Sequence, residues 1–160
     1  THWETARLEG ATFAAGRFAH AVFDDAVLTN LRADEGADFT EASFRRARAD
    51  EAHFEEAALQ GARWGEAVLD RAELARARLD GADLTAASLR AARLHEARLV
   101  GAVMLRVDAM EAVLEGADLT RADLRGANLT SASLWRARLD ETQLELALLH
   151  RSSIDPELGA

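Results

Sequence analysis

Large apolar residues recur at every fifth position through almost all of this 160-residue chain. From Phe39 to Ile154 the spacing gives 24 positions, of which 22 are large and apolar, the exceptions being Ala49 and Ala109. A second series lies two residues before the first, begins at Ala37 and is alanine at 21 of its 24 positions. A helix would repeat its apolar residues every 3.6 positions and a strand every 2. A period of five excludes both patterns and predicts a repeat solenoid.

The spacing of the two series indicates how such a chain would coil. An alanine and the leucine two residues later would both point inward, and the next three positions would round a corner and face water. If four such units close one coil of about 20 residues, the chain would form about eight coils. At the usual strand spacing of about 4.8 Å the rod would be roughly 38 Å long.

One irregularity interrupts the period near the N-terminus. The large residues from Trp3 to Leu28 follow the same spacing, but the step from Leu28 to Phe39 is one position longer than two full repeats. One extra residue is therefore predicted within Arg32–Gly36, as a bulge or corner loop. Gly36 in that stretch suits a backbone that leaves its regular path.

Several five-residue units carry a more specific signature. Gly81–Thr85 and Gly116–Thr120 both read Gly-Ala-Asp-Leu-Thr, Arg121–Arg125 reads Arg-Ala-Asp-Leu-Arg, and Gly126–Thr130 differs from the first two only by Asn128. These units resemble the consensus of the pentapeptide-repeat family. The resemblance covers residues 1–154 and implies an all-β fold, a right-handed quadrilateral parallel β-helix. Residues 155–160 are expected to form a C-terminal cap or tail.

Composition limits the classes of function. The chain has no cysteine and a net charge of −9, and all 19 of its basic residues are arginine. Disulfides and thiolate chemistry are thereby excluded, and direct nucleic-acid binding is disfavoured because it needs a basic surface. No apolar run is long enough for a membrane span and none is typical of a signal peptide. We therefore expect a cytoplasmic protein without membrane contact, and the arginine-only composition favours a bacterial source.

No residue pattern indicates catalysis, a cofactor or a metal. The five histidines do not stack one coil above another, so we expect no metal site. Ser152 and His150 lie close in sequence but no carboxylate is placed behind them as a triad requires. Glycines at 61, 81 and 101 recur at the same place in successive coils and are interpreted as structural corners, not a phosphate loop. The sequence predicts that the protein is not an enzyme.

The outward positions contain two candidate protein contacts. One is a group of apolar residues in a single coil, where Val107 and Ala109 also replace the usual inward alanine and leucine. The alternative is a local distortion in which Leu105, not Met104, points inward. The second is Trp135, which would either pack on neighbouring Arg136 or anchor an interface. Leu146 and Leu148 are interpreted as covering the open rod end, with partner binding as the alternative. The candidate contacts are Val100, Val103, Leu105, Met110, Val113 and Trp135.

Two function hypotheses follow. The first is a non-catalytic scaffold or module that binds another protein, as part of a larger bacterial protein; similar repeats in secretion-apparatus proteins make a secretion-associated role one version of it. The second comes from the family resemblance: a DNA mimic that binds DNA gyrase and protects it from quinolones or toxins. The interleaved arginines weaken the continuous negative field that a mimic needs. Such relatives usually dimerise through a C-terminal module, whereas only residues 155–160 follow the last repeat here, which also weighs against the mimic. A dimer through a rod end is a further expectation.

Overall fold

The computed structural model describes residues 1–13, 16–33 and 36–154. Parallel β-bridges join equivalent residues of successive coils, as in Ala58–Arg78, Arg78–Arg98 and Arg98–Asp118. A series of such bridges forms a ladder that runs along one side of the rod. Four ladders contain all the bridges of the described residues. The ladder from His2 to Gln143 joins eight equivalent residues, one in each coil, through seven bridges. The predicted number of coils, about eight, is therefore confirmed.

The regular strands are very short because each side of a coil is short. They comprise β1 (Thr12–Phe13), β2 (Arg32–Ala33), β3 (Ser133–Leu134) and β4 (Ser153–Ile154). β1 pairs with β2 and β3 with β4, in both cases in parallel. No helix within the described residues is long and apolar enough to cross a membrane.

The five positions of each repeat have distinct places, which we name from one unit. Ala37 belongs to the small column, Asp38 to the bridge column, Phe39 to the large column, Thr40 to the first corner column and Glu41 to the second corner column. We number the four faces by their large-column residues: face 1 contains Phe39 and Leu59, face 2 Phe44 and Trp64, face 3 Ala49 and Leu69, and face 4 Phe54 and Leu74.

The corners within the described residues are tight turns. The small-column amide donates to the large-column carbonyl of the preceding unit, as in Ala42 N to Phe39 O at 2.9 Å. The second corner residue has positive φ, as a turn with one left-handed central residue requires. Twenty-two described non-glycine residues adopt this conformation, with φ between 53° and 63°. Each is disfavoured by about 1–2 kcal/mol, so the ladder bonds and the buried core must hold the corners in place.

The aspartate of the consensus has a local role at these corners. In the described residues the first-corner amide takes no part in the backbone ladder. The bridge-column carboxylate accepts a hydrogen bond from it, as in Thr85 N to Asp83 Oδ1 at 3.0 Å. Asn128 accepts the same bond from Thr130 N at 3.1 Å. Side chains of this type stabilise turns in this way, which explains why aspartate and asparagine alternate in the motif.

The two inward columns form one continuous apolar core. Small-column alanines such as Ala62 and large-column residues such as Trp64 are fully buried. Val107 and Ala109 are both buried, so their reversed sizes are accommodated within the core. The same reversal occurs at Leu31 and Ala33, which are also buried. Where one inward position is enlarged, its neighbour is reduced, which keeps the packed volume nearly constant.

The predicted extra residue is visible in the bridge register. Arg17 pairs with Asp38, a step of 21, whereas Thr12 pairs with Arg32, a step of 20. The added residue therefore lies between Arg32 and Asp38, as expected. Gly36, which lies within that interval, has φ of +83°. Asp34 and Glu35 lie outside the described residues, as does the expected cap or tail at 155–160.

Candidate interaction surfaces

Ion pairs between successive coils occupy much of the outward surface. Arg46 donates to Asp25 at 2.7 Å, and Arg71 donates to Glu51 at 2.7 Å. The Arg46 guanidinium lowers the pKa of the Asp25 carboxyl through hydrogen bonds and charge. Arg76 pairs with Glu56 in the same manner. These pairs join the second corner columns of adjacent coils and leave fewer charges available for a partner.

Charge is mixed along the whole rod. All four faces carry both arginines and carboxylates in their outward columns. On face 1, for example, Asp80 pairs with Arg98 at 2.9 Å and Asp118 pairs with Arg138 at 3.4 Å. Burial raises the pKa of Asp118, but hydrogen bonds from Thr120 and the charge of Arg138 outweigh it, so that pKa is lowered. No described face forms an uninterrupted acidic stripe.

The apolar group of the coil near residue 105 encircles the rod. Met104 is fully buried and Leu105 is not, so the distorted alternative with Leu105 pointing inward is wrong. The five outward residues are half-buried and are divided among the four faces. Val100 and Val103 flank the corner at Gly101, and Leu105 follows Val103 on face 2. We call these five outward residues the belt, and the stretch next to the Gly101 corner is its most compact part. The belt consists of Val100, Val103, Leu105, Met110 and Val113.

Trp135 lies beside a shallow notch on face 4. Its side chain is 45% exposed, and no ring contact involves it within the described residues. The notch has a volume of about 210 Å³. It opens because Gly116, in the second corner column, has no side chain between Glu96 one coil below and Arg136 one coil above. The notch is lined by His95, Glu96, Glu115, Gly116, Trp135 and Arg136.

A second notch lies at the corner between faces 1 and 2. It has a volume of about 390 Å³ and is lined by His20, Glu41, Gly61 and Arg63. His20 Nδ1 lies 3.3 Å from Glu41 Oε2. Sequence reasoning missed both notches, although one signal was available. In both notches a corner glycine, Gly61 or Gly116, follows a glutamate at the equivalent position of the preceding coil, Glu41 or Glu96, and that spacing is readable from the sequence.

Within the described residues no group of side chains is placed to hold a metal ion, and two serine hydroxyls make structural hydrogen bonds. No three histidine, aspartate or glutamate side chains lie close enough there to hold a metal ion. Ser152 Oγ donates to Leu149 O at 2.8 Å, so this hydroxyl is engaged in a turn and not with His150. The buried Ser43 donates to Asp24 at 2.6 Å, which is a structural bond between coils.

The C-terminal end of the described rod is apolar. Leu146 is 89% exposed and Leu148 is 59% exposed, so within the described residues neither is covered. The large-column residues that reach this end are half-buried and pack against the core. They are Leu139, Leu144, Leu149 and Ile154.

The repeat pattern matches a known protein family. The family model for pentapeptide repeats matches residues 50–85, 87–126 and 110–145, with eight copies. The chain belongs to the pentapeptide-repeat family. A search of curated proteins gave no match.

Solved structures of other pentapeptide-repeat proteins share the fold. HetL, involved in heterocyst differentiation regulation in the cyanobacterium Nostoc sp. strain PCC 7120, is 30% identical with a TM-score of 0.74, over 95% of this chain and 78% of its own. QnrB1, a plasmid-mediated fluoroquinolone resistance protein, is 22% identical with a TM-score of 0.86, over 98% and 80%. A thylakoid-lumen protein of Arabidopsis thaliana is 23% identical with a TM-score of 0.60, over 62% and 69%. These neighbours imply the right-handed quadrilateral β-helix.

Proposed function

We propose that this pentapeptide-repeat chain is a non-catalytic module that binds another protein through its outward columns. The observation that supports this proposal is the division of the repeat. Two columns in five are committed to a closed apolar core, and the other three vary around a regular backbone. Rigid solenoids of this kind present extended surfaces to partners. The proposed setting is the cytoplasm, within a larger bacterial, secretion-associated protein.

The belt and Trp135 are the proposed contact residues. Val100, Val103 and Leu105 place apolar side chains around one corner, and their half-burial leaves part of each accessible. Grouped apolar residues on an otherwise charged surface favour protein contact. Trp135 adds an exposed aromatic of the type enriched at energetically important positions of interfaces.

A matched pair of variants tests the belt. The double variant Val103→Glu and Leu105→Glu introduces charge on face 2, while Val68→Glu makes the same change in the bridge column of face 3. Both leave the inward columns intact, and circular dichroism should confirm that they fold. We expect a partner captured by the parent chain from bacterial lysate to be retained by the Val68 variant and lost by the belt variant. Equal retention by both would refute the belt as the contact surface.

A second candidate is a DNA mimic that binds DNA gyrase. The net charge of −9 and the rod shape favour it, and the likeness to QnrB1 supplies the same fold. The arginines on every face oppose it, because they interrupt the negative field. A gyrase supercoiling assay with and without a fluoroquinolone decides between the two. Inhibition or protection at low micromolar protein would support the mimic, and no effect at tens of micromolar would rule against it.

We also propose contact between two copies through the C-terminal rod end. The exposed Leu146 and Leu148 next to half-buried leucines support this proposal. Sedimentation velocity of the parent chain and of Leu146→Glu tests it. A dimer that becomes a monomer in the variant is the expected result, and a parent chain that is monomeric at all concentrations would contradict it.

A further inference from the structure

The notch beside Trp135 is bordered by two carboxylates, those of Glu96 and Glu115. In the second corner column of face 4, Glu56 and Arg76 precede Glu96 by two coils and by one coil, and they form an ion pair with each other. The residue that would pair with Glu96 from the next coil is Gly116, which has no side chain. A Cβ built at this glycine would lie 3.4 Å from Glu96 Cγ. The notch therefore lies where the ladder lacks an arginine.

Glu115 is held in place at the same notch. Ser133 Oγ donates to Glu115 Oε1 at 2.8 Å, and His95 Nδ1 lies 3.9 Å from Glu115 Oε2. Glu115 and Trp135 occupy the same first corner column in successive coils, and Gly116 N donates to Trp135 O at 2.9 Å. The indole ring and two carboxylates thus border one opening that is large enough for a side chain.

This combination of groups suits a cation of planar shape. A guanidinium binds carboxylates through its fixed fork of N–H donors and also stacks on an aromatic face. Arg136, next to Trp135 in sequence, also borders the notch, and its charge opposes the binding of a cation. The two carboxylates of Glu96 and Glu115 outnumber that arginine, and Trp135 supplies the aromatic face.

We propose that the Gly116 notch receives an exposed arginine side chain of a partner protein, which stacks on Trp135 and pairs with Glu96 and Glu115. The inference rests on the proposed function, because it assigns the chemistry of the partner to one of the proposed contact residues. The partner's arginine takes the place that an arginine of this chain occupies in the Glu51–Arg71 pair.

The experiment uses the full chain and a defined probe. The peptide acetyl-Gly-Gly-Arg-Gly-Gly-amide is titrated while tryptophan emission is recorded, and the same peptide with neutral citrulline is the matched control. Trp64 is fully buried and Trp3 is half-buried, so Trp135→Phe identifies the signal that comes from Trp135. We expect saturable binding of the arginine peptide in the millimolar range, and binding of the citrulline peptide weaker by about tenfold or more.

Four variants test which residues of the notch bind the arginine peptide. Gly116→Arg fills the notch and supplies the missing ladder residue; the turn accepts it, since Arg121 and Arg136 adopt φ of 59° and 56° in this column. We expect it to abolish binding. Glu96→Gln is expected to weaken binding about threefold and Arg136→Gln to strengthen it about twofold. Glu111→Gln, an exposed change in the same column on face 3, should leave binding unchanged.

Three outcomes would overturn the proposal. They are equal binding of the citrulline peptide, undiminished binding to Gly116→Arg, or preference for a glutamate peptide in place of the arginine peptide, which would make Arg136 the receptor. The proposed function fails separately. If no partner contacts the outward columns while the arginine peptide still binds at the notch, the notch stands as a site and the module hypothesis is wrong.

Discussion

The N-terminal and C-terminal parts of the core use the same lattice with different side chains. On face 2 the N-terminal large column is aromatic, and its rings are stacked one coil above another. The centroids of Trp3 and Phe23 are 6.3 Å apart, those of Phe23 and Phe44 4.9 Å, and those of Phe44 and Trp64 3.9 Å, all nearly parallel. Beyond Trp64 the same column continues with Leu84, Met104 and Leu124, all buried.

This difference shows that the repeat determines which residues point inward more strictly than it determines the shape of their side chains. In one coil of the N-terminal part, three phenylalanines are accompanied by a reduced fourth inward position. The coil with Phe39, Phe44 and Phe54 has Ala49 at its fourth large position, and all four are buried. The leucine coils need no such adjustment, except where Val107 and Ala109 exchange sizes. Aromatic packing therefore makes the N-terminal part less tolerant of a change in volume.

Truncation of the aromatic column should have the largest effect. Trp64→Ala removes a fully buried side chain that contacts Phe44 face to face and Phe54 edge to face. We expect a loss of about 3–5 kcal/mol in the free energy of unfolding. Leu124→Ala, at the same face in the leucine part, should lose about 2–5 kcal/mol, toward the lower end because flexible neighbours can close the gap. Urea unfolding followed by circular dichroism measures both, and a greater loss for Leu124→Ala would contradict the comparison.

Enlarging one inward position should have the next largest effect. Ala109→Leu restores the usual large residue but leaves Val107 in the small column, so we expect overpacking and a loss of about 1–3 kcal/mol. The double variant Val107→Ala with Ala109→Leu restores the regular pattern and should recover most of the loss. Thermal unfolding of the two variants measures the coupling. Additive destabilisation would mean that the two positions do not share one packed volume.

Much of the fold was accessible from the sequence because the period assigns every residue to a column. The inward direction of Val107 and Ala109 and the extra residue before Asp38 both followed from position alone. The exposure of outward residues did not, because it depends on side chains one coil above and below. Val100 and Leu105 are shielded to half-burial by such neighbours, and the Trp135 notch depends on Gly116 in the preceding coil.

The hydrogen bonds that carboxylates accept from the first-corner amides were also not predicted from the sequence, for a related reason. Bridge-column Asp83 accepts a bond from a residue two positions later, which the motif contains directly. Asp24 instead accepts from Arg45 N at 3.0 Å and from Ser43 Oγ at 2.6 Å. These partners are one coil away and across the irregular step, so only the register of the coils brings the three residues together.

Removing these acceptors should have a smaller effect, which differs between a carboxylate that bonds across coils and one that bonds within its own unit. Asp24→Ala deprives an outward amide and the buried Ser43 hydroxyl of their acceptor, so we expect a loss of about 1–3 kcal/mol. Asp83→Ala, in the leucine part, should lose about 1 kcal/mol, and Asp83→Asn should be nearly neutral because Asn128 makes the equivalent bond. Urea unfolding distinguishes them. Ser43→Ala should reduce the effect of Asp24→Ala, and no such rescue would show that the hydroxyl does not carry the difference.

The smallest expected effect is the loss of folding stability in acid, to which carboxylates in both parts of the rod contribute. Hydrogen bonds from Arg46 lower the pKa of Asp25, and those from Arg125 lower the pKa of Asp123. A carboxyl whose folded pKa lies below its unfolded value of about 3.9 stabilises the fold above that pH. The contribution is lost as pH falls through the folded pKa. We therefore expect a melting temperature that is nearly constant from pH 8 to 5 and decreases below about pH 4.

Single variants show whether both parts contribute to this acid response. Arg46→Gln removes the cause of the lowered Asp25 pKa, and Arg125→Gln does the same for Asp123. Each should flatten the decrease below about pH 4 by a small amount, since all four side chains are near the surface and screened. Differential scanning fluorimetry across the pH range gives the comparison, with Arg121→Gln as a control because Arg121 forms no ion pair within the described residues. If the control flattens the curve as much as the paired variants do, total charge governs the acid response, and the individual pairs between and within coils do not.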